Sequence, residues 1–160
     1  MKLLLIMRYL IFTLILSFSF SSQAEEVLTT EITHSLGTSY TLNSNSMNEN
    51  RRVLVHLPEN YQHTTQTYPV IYLLDGDNHF HHAISSAVDL HQHEIAPQMI
   101  IVAIPNNENT RRRDLTSNRQ NFMTFVKEEV PSFIKENFRT NDTQILFGHS
   151  AMGGGLTLFF

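Results

Sequence analysis

The sequence predicts an α/β fold: a mostly parallel sheet with helices on both faces and an antiparallel N-terminal hairpin. Three observations predict it. Apolar runs at 69–74, 99–104 and 144–147 are each bounded by turn residues, as expected of strands buried on both faces. Between them lie stretches whose apolar residues recur at helical spacing. The order strand–helix–strand–helix–strand is that of parallel strands joined by crossover helices. With 160 residues, 41 % hydrophobic and 16 % charged, the chain holds one globular domain at most and is neither disordered nor fibrous.

The elements follow in order. Lys2 and Arg8 precede an apolar run at 10–20, and Ser22-Gln23-Ala24 supplies small residues at the −3 and −1 positions. Residues 1–24 read as a secretory signal cleaved after Ala24, leaving a domain at 25–160 in the periplasm or the medium. The run is short and serine-rich for a span of ~20 apolar residues, so no stable membrane association is expected after cleavage. Residues 27–42 alternate around Gly37 as a hairpin, and 43–50 are turn material. Residues 51–57 form a strand with Val53, Val55 and Leu57 on one face, ended by Pro58. The strand at 69–74 runs into Asp75-Gly76-Asp77-Asn78. A helix over 79–95 follows, carrying Phe80, Ile84, Ala87 or Val88, and His91, with Asp77 or Asn78 as its N-cap. Strand 99–104 stops at Pro105. A long helix spans 119–138 with Phe122, Phe125, Val126, Val130, Phe133, Ile134 and Phe138 as its stripe; Pro131 bends it or starts a new helix. Strand 144–147 then leads into Gly148-His149-Ser150.

Charge and composition exclude some functions. The net charge is −4 and cysteine is absent, so the chain has no disulfide framework and no thiolate metal site. The one basic cluster, Arg111-Arg112-Arg113 beside Asp114, is too small to track a phosphate backbone, so no nucleic-acid partner is expected.

The densest chemical signal is Gly148-His149-Ser150-Ala151-Met152-Gly153-Gly154-Gly155. A serine between an apolar strand and a glycine-rich helix start is the setting of a nucleophile elbow. The turn lifts the hydroxyl clear of the sheet, and the amides at the helix start face a developing oxyanion.

The run from Val70 to Asp77, then Ile104-Pro105-Asn106, Arg113-Asp114-Leu115-Thr116 and Gly148-His149-Ser150, resembles an esterase family of the α/β-hydrolase superfamily. That family includes esterase D-like and siderophore-esterase-like enzymes, and the resemblance covers roughly residues 40–160. It implies a serine ester hydrolase acting by acyl transfer on a small-molecule ester, with no cofactor. Carried over, Ser150 is the nucleophile, and the backbone amides of Ala151 and Asp77 (or Gly76) are the oxyanion donors.

Two departures bear on activity. The family pattern G-x-S-x-G places glycine two positions after the serine, where Met152 stands here. Misplacing the Ala151 amide by about an ångström would cost about 100-fold in rate. The superfamily also places its acid and histidine after the serine, and residues 151–160 contain only Ala, Met, Gly, Leu, Thr and Phe. The sequence therefore reads as truncated after the elbow and, alone, as inactive on simple esters. The alternative is a non-catalytic remnant that at most binds ligand.

The histidines offer a third reading, an exported metal-binding module. His79, His81, His82, His91 and His93 fall in one helix, but His82 and His93 are separated by about 16 Å along its axis and cannot share an ion. No metal is assigned. His79 and Arg113 are placed instead as substrate-binding residues, because loops at the carboxyl ends of parallel strands line the ligand crevice. A strand at 145–147 without a neighbour on one side would leave an apolar edge, and self-association through it is expected.

Overall fold

The structure, a computed structural model, describes residues 35–106 and 108–149. Its sheet has five strands: β1 (Thr38–Ser44), β2 (Glu49–His56), β3 (Tyr68–Leu74), β4 (Ile100–Ile104) and β5 (Thr140–Phe147), in the order β1-β2-β4-β3-β5. β1 and β2 are antiparallel with Ser44 opposite Glu49, and β2 is antiparallel to β4. β4 and β5 flank β3, both parallel to it. The ladder between β3 and β5 shifts register between Tyr68 and Val70, where Pro69 has no amide hydrogen to contribute.

β1 and β2 form an antiparallel hairpin that closes over residues 45–48, with Asn48 at φ 52°, inside the stretch 43–50 expected as turn material. Of the hairpin expected over 27–42, residues 27–34 lie outside the described residues. Gly37 instead precedes β1, where a Cβ would stand 2.5 Å from the Val55 carbonyl oxygen. The glycine marks a close approach of two backbones, not a turn.

Four helices pack on the two faces. α1 (Gly76–Gln92) lies on one face, burying Phe80 and Ile84 against Leu73, Ile101 and Ala103. Of the rest of its expected stripe, Ala87 packs there, while Val88 and His91 are exposed. α3 (Arg119–Thr124) and α4 (Val130–Asn137) lie on the other face, joined without a break by a π-helical turn over Phe125–Glu129. That wide turn precedes Pro131, whose ring would otherwise meet the carbonyl four residues back. Phe122, Phe125, Val126, Val130 and Ile134 pack there against Val53, Val55, Tyr72 and alternate residues of β4. The Ser46 amide donates to Glu129 Oε1 at 2.7 Å, tying the hairpin turn to the helical layer.

Two expectations need correction. Residues 108–115, expected as a loop, form helix α2 (Glu108–Leu115). Its segment has no apolar stripe, so periodicity could not reveal it; the helix is held by ion pairs and by buried Leu115. α1 begins three residues earlier than expected. Asp75, at φ 55°, occupies its N-cap position with no side-chain capping bond, so Asp77 and Asn78 belong to the first turn.

Candidate active site

Strand order locates the crevice. From β3 the chain crosses to β4 on one side and later to β5 on the other. In open α/β sheets ligands bind outside the carboxyl ends of the strands at such a reversal. The backbone leaving β3 there is Asp75-Gly76-Asp77, and the backbone leaving β5 is Gly148-His149.

Asp75 is a buried acid, 6 % exposed, in the left-handed region. For a residue other than glycine that conformation costs roughly 1–2 kcal/mol, although aspartate tolerates it better than most. Arg111 of α2 grips its carboxylate with two parallel hydrogen bonds, Nε to Oδ1 at 2.6 Å and Nη2 to Oδ2 at 2.8 Å. Burial opposes ionisation of Asp75. The Arg111 bonds and charge, aided by the Asn106 amide and His79, overcome it and hold the carboxyl below its ordinary pKa.

Gly76 follows under tight packing. A Cβ there would lie 2.6 Å from the Ala103 Cβ and 2.7 Å from the Ile104 nitrogen, so only glycine lets α1 start this close to β4. The amides of Gly76 and Asp77 are the first of the helix, which leaves them without intrahelical acceptors and at the positive end of the macrodipole. Beside them is a cavity of about 310 Å³, lined in part by Glu49, Arg52, Asp77 and Pro105. The Asp77 carboxylate accepts from Arg52 Nη2 across its mouth.

A second polar cluster supports the same end of the sheet. Arg51, on the inward face of β2 and 6 % exposed, donates to Asp114 Oδ2 at 2.8 Å, to Glu49 Oε1 at 2.9 Å and to Asn106 Oδ1 at 3.1 Å. Arg113 donates to both Glu49 oxygens, at 2.6 and 3.1 Å, and to Asp114 Oδ1 at 2.9 Å. The Arg113 bonds, then Arg51, hold the Glu49 carboxyl low against its desolvation. Arg113, expected to bind substrate, thus has its donors occupied by the protein's own carboxylates. Arg111, from the same cluster, reaches the crevice turn.

The histidines separate. His79, half-buried in the first turn of α1, stacks tilted against His149 with centroids 5.6 Å apart and meets the edge of Phe147 at 6.2 Å. His93, at the far end of α1, bonds to the Asp89 carbonyl at 2.9 Å. No three metal-ligating side chains converge among the described residues. Ser150, Ala151 and Met152 lie outside the described residues, but the residue before Ser150 is in contact with the first turn of α1.

Sequence reasoning missed Asp75, Arg111, Arg51 and Asp114 as one polar assembly. Alternation already placed Arg51 on the face of Val53 and Val55, and that was a usable signal. Nothing local links Arg111 to Asp75, 36 residues away.

Comparison with known proteins agrees with this fold. An IroE-like serine hydrolase from Shewanella oneidensis is 31 % identical, with a TM-score of 0.67 over 75 % of this chain and 44 % of that one. The BES protein from Bacillus cereus is 25 % identical, with a TM-score of 0.63 over 81 % and 57 %. The siderophore hydrolase EstB from Aspergillus nidulans, 21 % identical with a TM-score of 0.64 over 80 % and 52 %, shares the fold. The chain therefore spans about half the length of these α/β-hydrolase-like structures. No curated protein matches. The profile of the family described as Putative esterase matches residues 44–160, most of the chain and every element described above except β1, of which it includes only Ser44, and the chain belongs to that family.

Proposed function

We propose that the chain is a serine ester hydrolase acting by acyl transfer on a small-molecule ester, with Ser150 as nucleophile. In this reading the Ser150 oxygen attacks the ester carbonyl carbon. The carbonyl oxygen gains negative charge, which the amides of Ala151 and of Asp77 or Gly76 stabilise by hydrogen bonding. The alcohol leaves, and water then releases the acid from the acyl-serine. The reading assigns this chain the nucleophile and the oxyanion donors.

The observation that carries it is the contact of His149, the residue before Ser150, with His79 in the first turn of α1. That turn bears the Gly76 and Asp77 amides at the strand-order reversal. Family membership and the likeness to a serine hydrolase support it. The reading also takes the chain as exported through residues 1–24, which N-terminal sequencing of the mature protein would test: a start at Glu25 supports it and an intact Met1 refutes it.

A fluorophosphonate probe tests the chemistry, because labelling needs an activated serine. Labelling of the wild type that is abolished in Ser150→Ala supports the reading. The second reading is a chain that binds ligand without turnover. No labelling, together with no hydrolysis of a p-nitrophenyl ester, selects it.

A further inference from the structure

We propose that Arg111 is a positioning residue: by gripping the buried Asp75 carboxylate it holds the turn that sets the Gly76 and Asp77 amides at the carboxyl end of β3. The proposal deepens the reading of that turn as the oxyanion donor.

The turn has two supports, and the structure shows both. On the β4 side Gly76 is packed to the limit, with no room for even a Cβ between it and Ala103. On the other side the Asp75 backbone stands at φ 55°, ψ 41°, and its side chain makes no capping bond to the helix it precedes. A capping aspartate usually spends its carboxylate on the amides two or three residues on. Here the carboxylate is turned away to Arg111, which leaves the first-turn amides without a side-chain acceptor of their own.

The grip is built for geometry. Two parallel bonds of 2.6 and 2.8 Å fix both the plane and the direction of the carboxylate, which a point charge would not do. Arg111 is itself anchored, since α2 is tied to β2 two and three residues later by Arg113 to Glu49 and by Asp114 to Arg51. Removing the grip frees Asp75 to rotate back and cap α1, which would move the Gly76 and Asp77 amides and occupy that of Asp77 or Asn78.

Arg111→Lys keeps the charge and loses the fork; Arg111→Gln loses both. Hydrogen exchange read by mass spectrometry on the full chain tests the structural half without any need for activity. Exchange of the Asn78–Phe80 amides, the first whose hydrogen bonds depend on the turn, should change by at least ~10-fold in both variants. Exchange over β4 should stay as in the wild type. Unchanged exchange at 78–80 in Arg111→Gln would overturn the proposal. The kinetic half uses the fluorophosphonate: the maximal labelling rate should fall by on the order of 100-fold in Arg111→Lys while the half-saturating probe concentration holds. Equal loss of both, or no loss despite altered exchange, would also overturn it. If the wild type is not labelled at all, the esterase reading fails, and the exchange measurement still decides whether Arg111 holds the turn.

Discussion

β4 and β5 both run parallel to β3, one on each side of it, and differ in sequence and in circumstance. β4 is apolar throughout, whereas β5 is polar over Thr140 to Gln144 and apolar only over Ile145 to Phe147. Every residue of β4 is buried, whereas β5 leaves Ile145 and Phe147 each 47 % exposed. β4 has β2 beyond it, α1 on one face and α3–α4 on the other. Among the described residues β5 has only β3. Pairing with β3 makes a strand of both segments, the polar half of β5 included, and the further neighbours of each decide how far it is buried. The apolar run at 144–147 forms the expected strand, and the exposure of Ile145 and Phe147 matches the expected apolar edge rather than burial on both faces.

The contrast is broken most directly by truncation. Ile104→Ala in β4 should cost about 2–5 kcal/mol of unfolding free energy, through lost burial and the cavity left behind. Ile145→Ala in β5 should cost under about 1 kcal/mol. Urea unfolding of both variants checks this, and equal losses would mean that β5 is covered after all.

Charges offer the same contrast. Asp114 is fully buried beside Arg51, and Asp114→Ala should cost about 3 kcal/mol because a buried guanidinium loses a partner. The Arg52–Asp77 pair is half exposed on both sides, so Arg52→Ala should change stability by less than about 1 kcal/mol.

Acid sharpens the picture further. Glu49, Asp75 and Glu129 all have pKa values held below their ordinary range: Glu49 chiefly by Arg113; Asp75 by Arg111 against its burial; Glu129 by hydrogen bonds at Ser44 and Ser46, also against burial. A depressed carboxyl contributes stability that is complete above its unfolded pKa and is lost as pH falls through the folded one. Melting temperature should therefore be insensitive to these groups above about pH 5 and drop below about pH 4. In Arg111→Gln the Asp75 part of that drop should disappear, which thermal melts across pH would show.

The smallest effect on folding is expected at the edge itself. Phe147→Lys should alter stability by under about 1 kcal/mol, yet it should reduce the self-association that an exposed apolar strand edge invites. Light scattering on the eluted protein decides it; a wild-type chain that is already a clean monomer would refute self-association through β5.

How legible the molecule was in its sequence depended on the range of the interactions involved. Apolar runs and helical stripes are local patterns, and they located β3, β4, β5, α1 and the long helix, whose irregularity is a π-helical turn just ahead of Pro131. Alternation put Val53 and Val55 inside, and by the same rule Arg51. The motif series around Gly76, Asp77 and Gly148-His149-Ser150 identified the family. α2 left no trace, because ion pairs hold it in place of an apolar stripe. The N-cap of α1 was misplaced because Asp75 adopts a left-handed conformation that its side chain does not stabilise locally.

Fold class, strand identities and family were thus determined by the sequence alone, because each rests on residues near one another in the chain. Only the tertiary structure decided which arginine of 111–113 pairs with Asp75. Arg113 turns to Glu49 and Asp114, and Arg111 turns to Asp75. Adjacent arginines two positions apart point to different sides of a helix. The partner each one finds is set by strands brought together from 36 and 64 residues away, a distance over which no local pattern carries information.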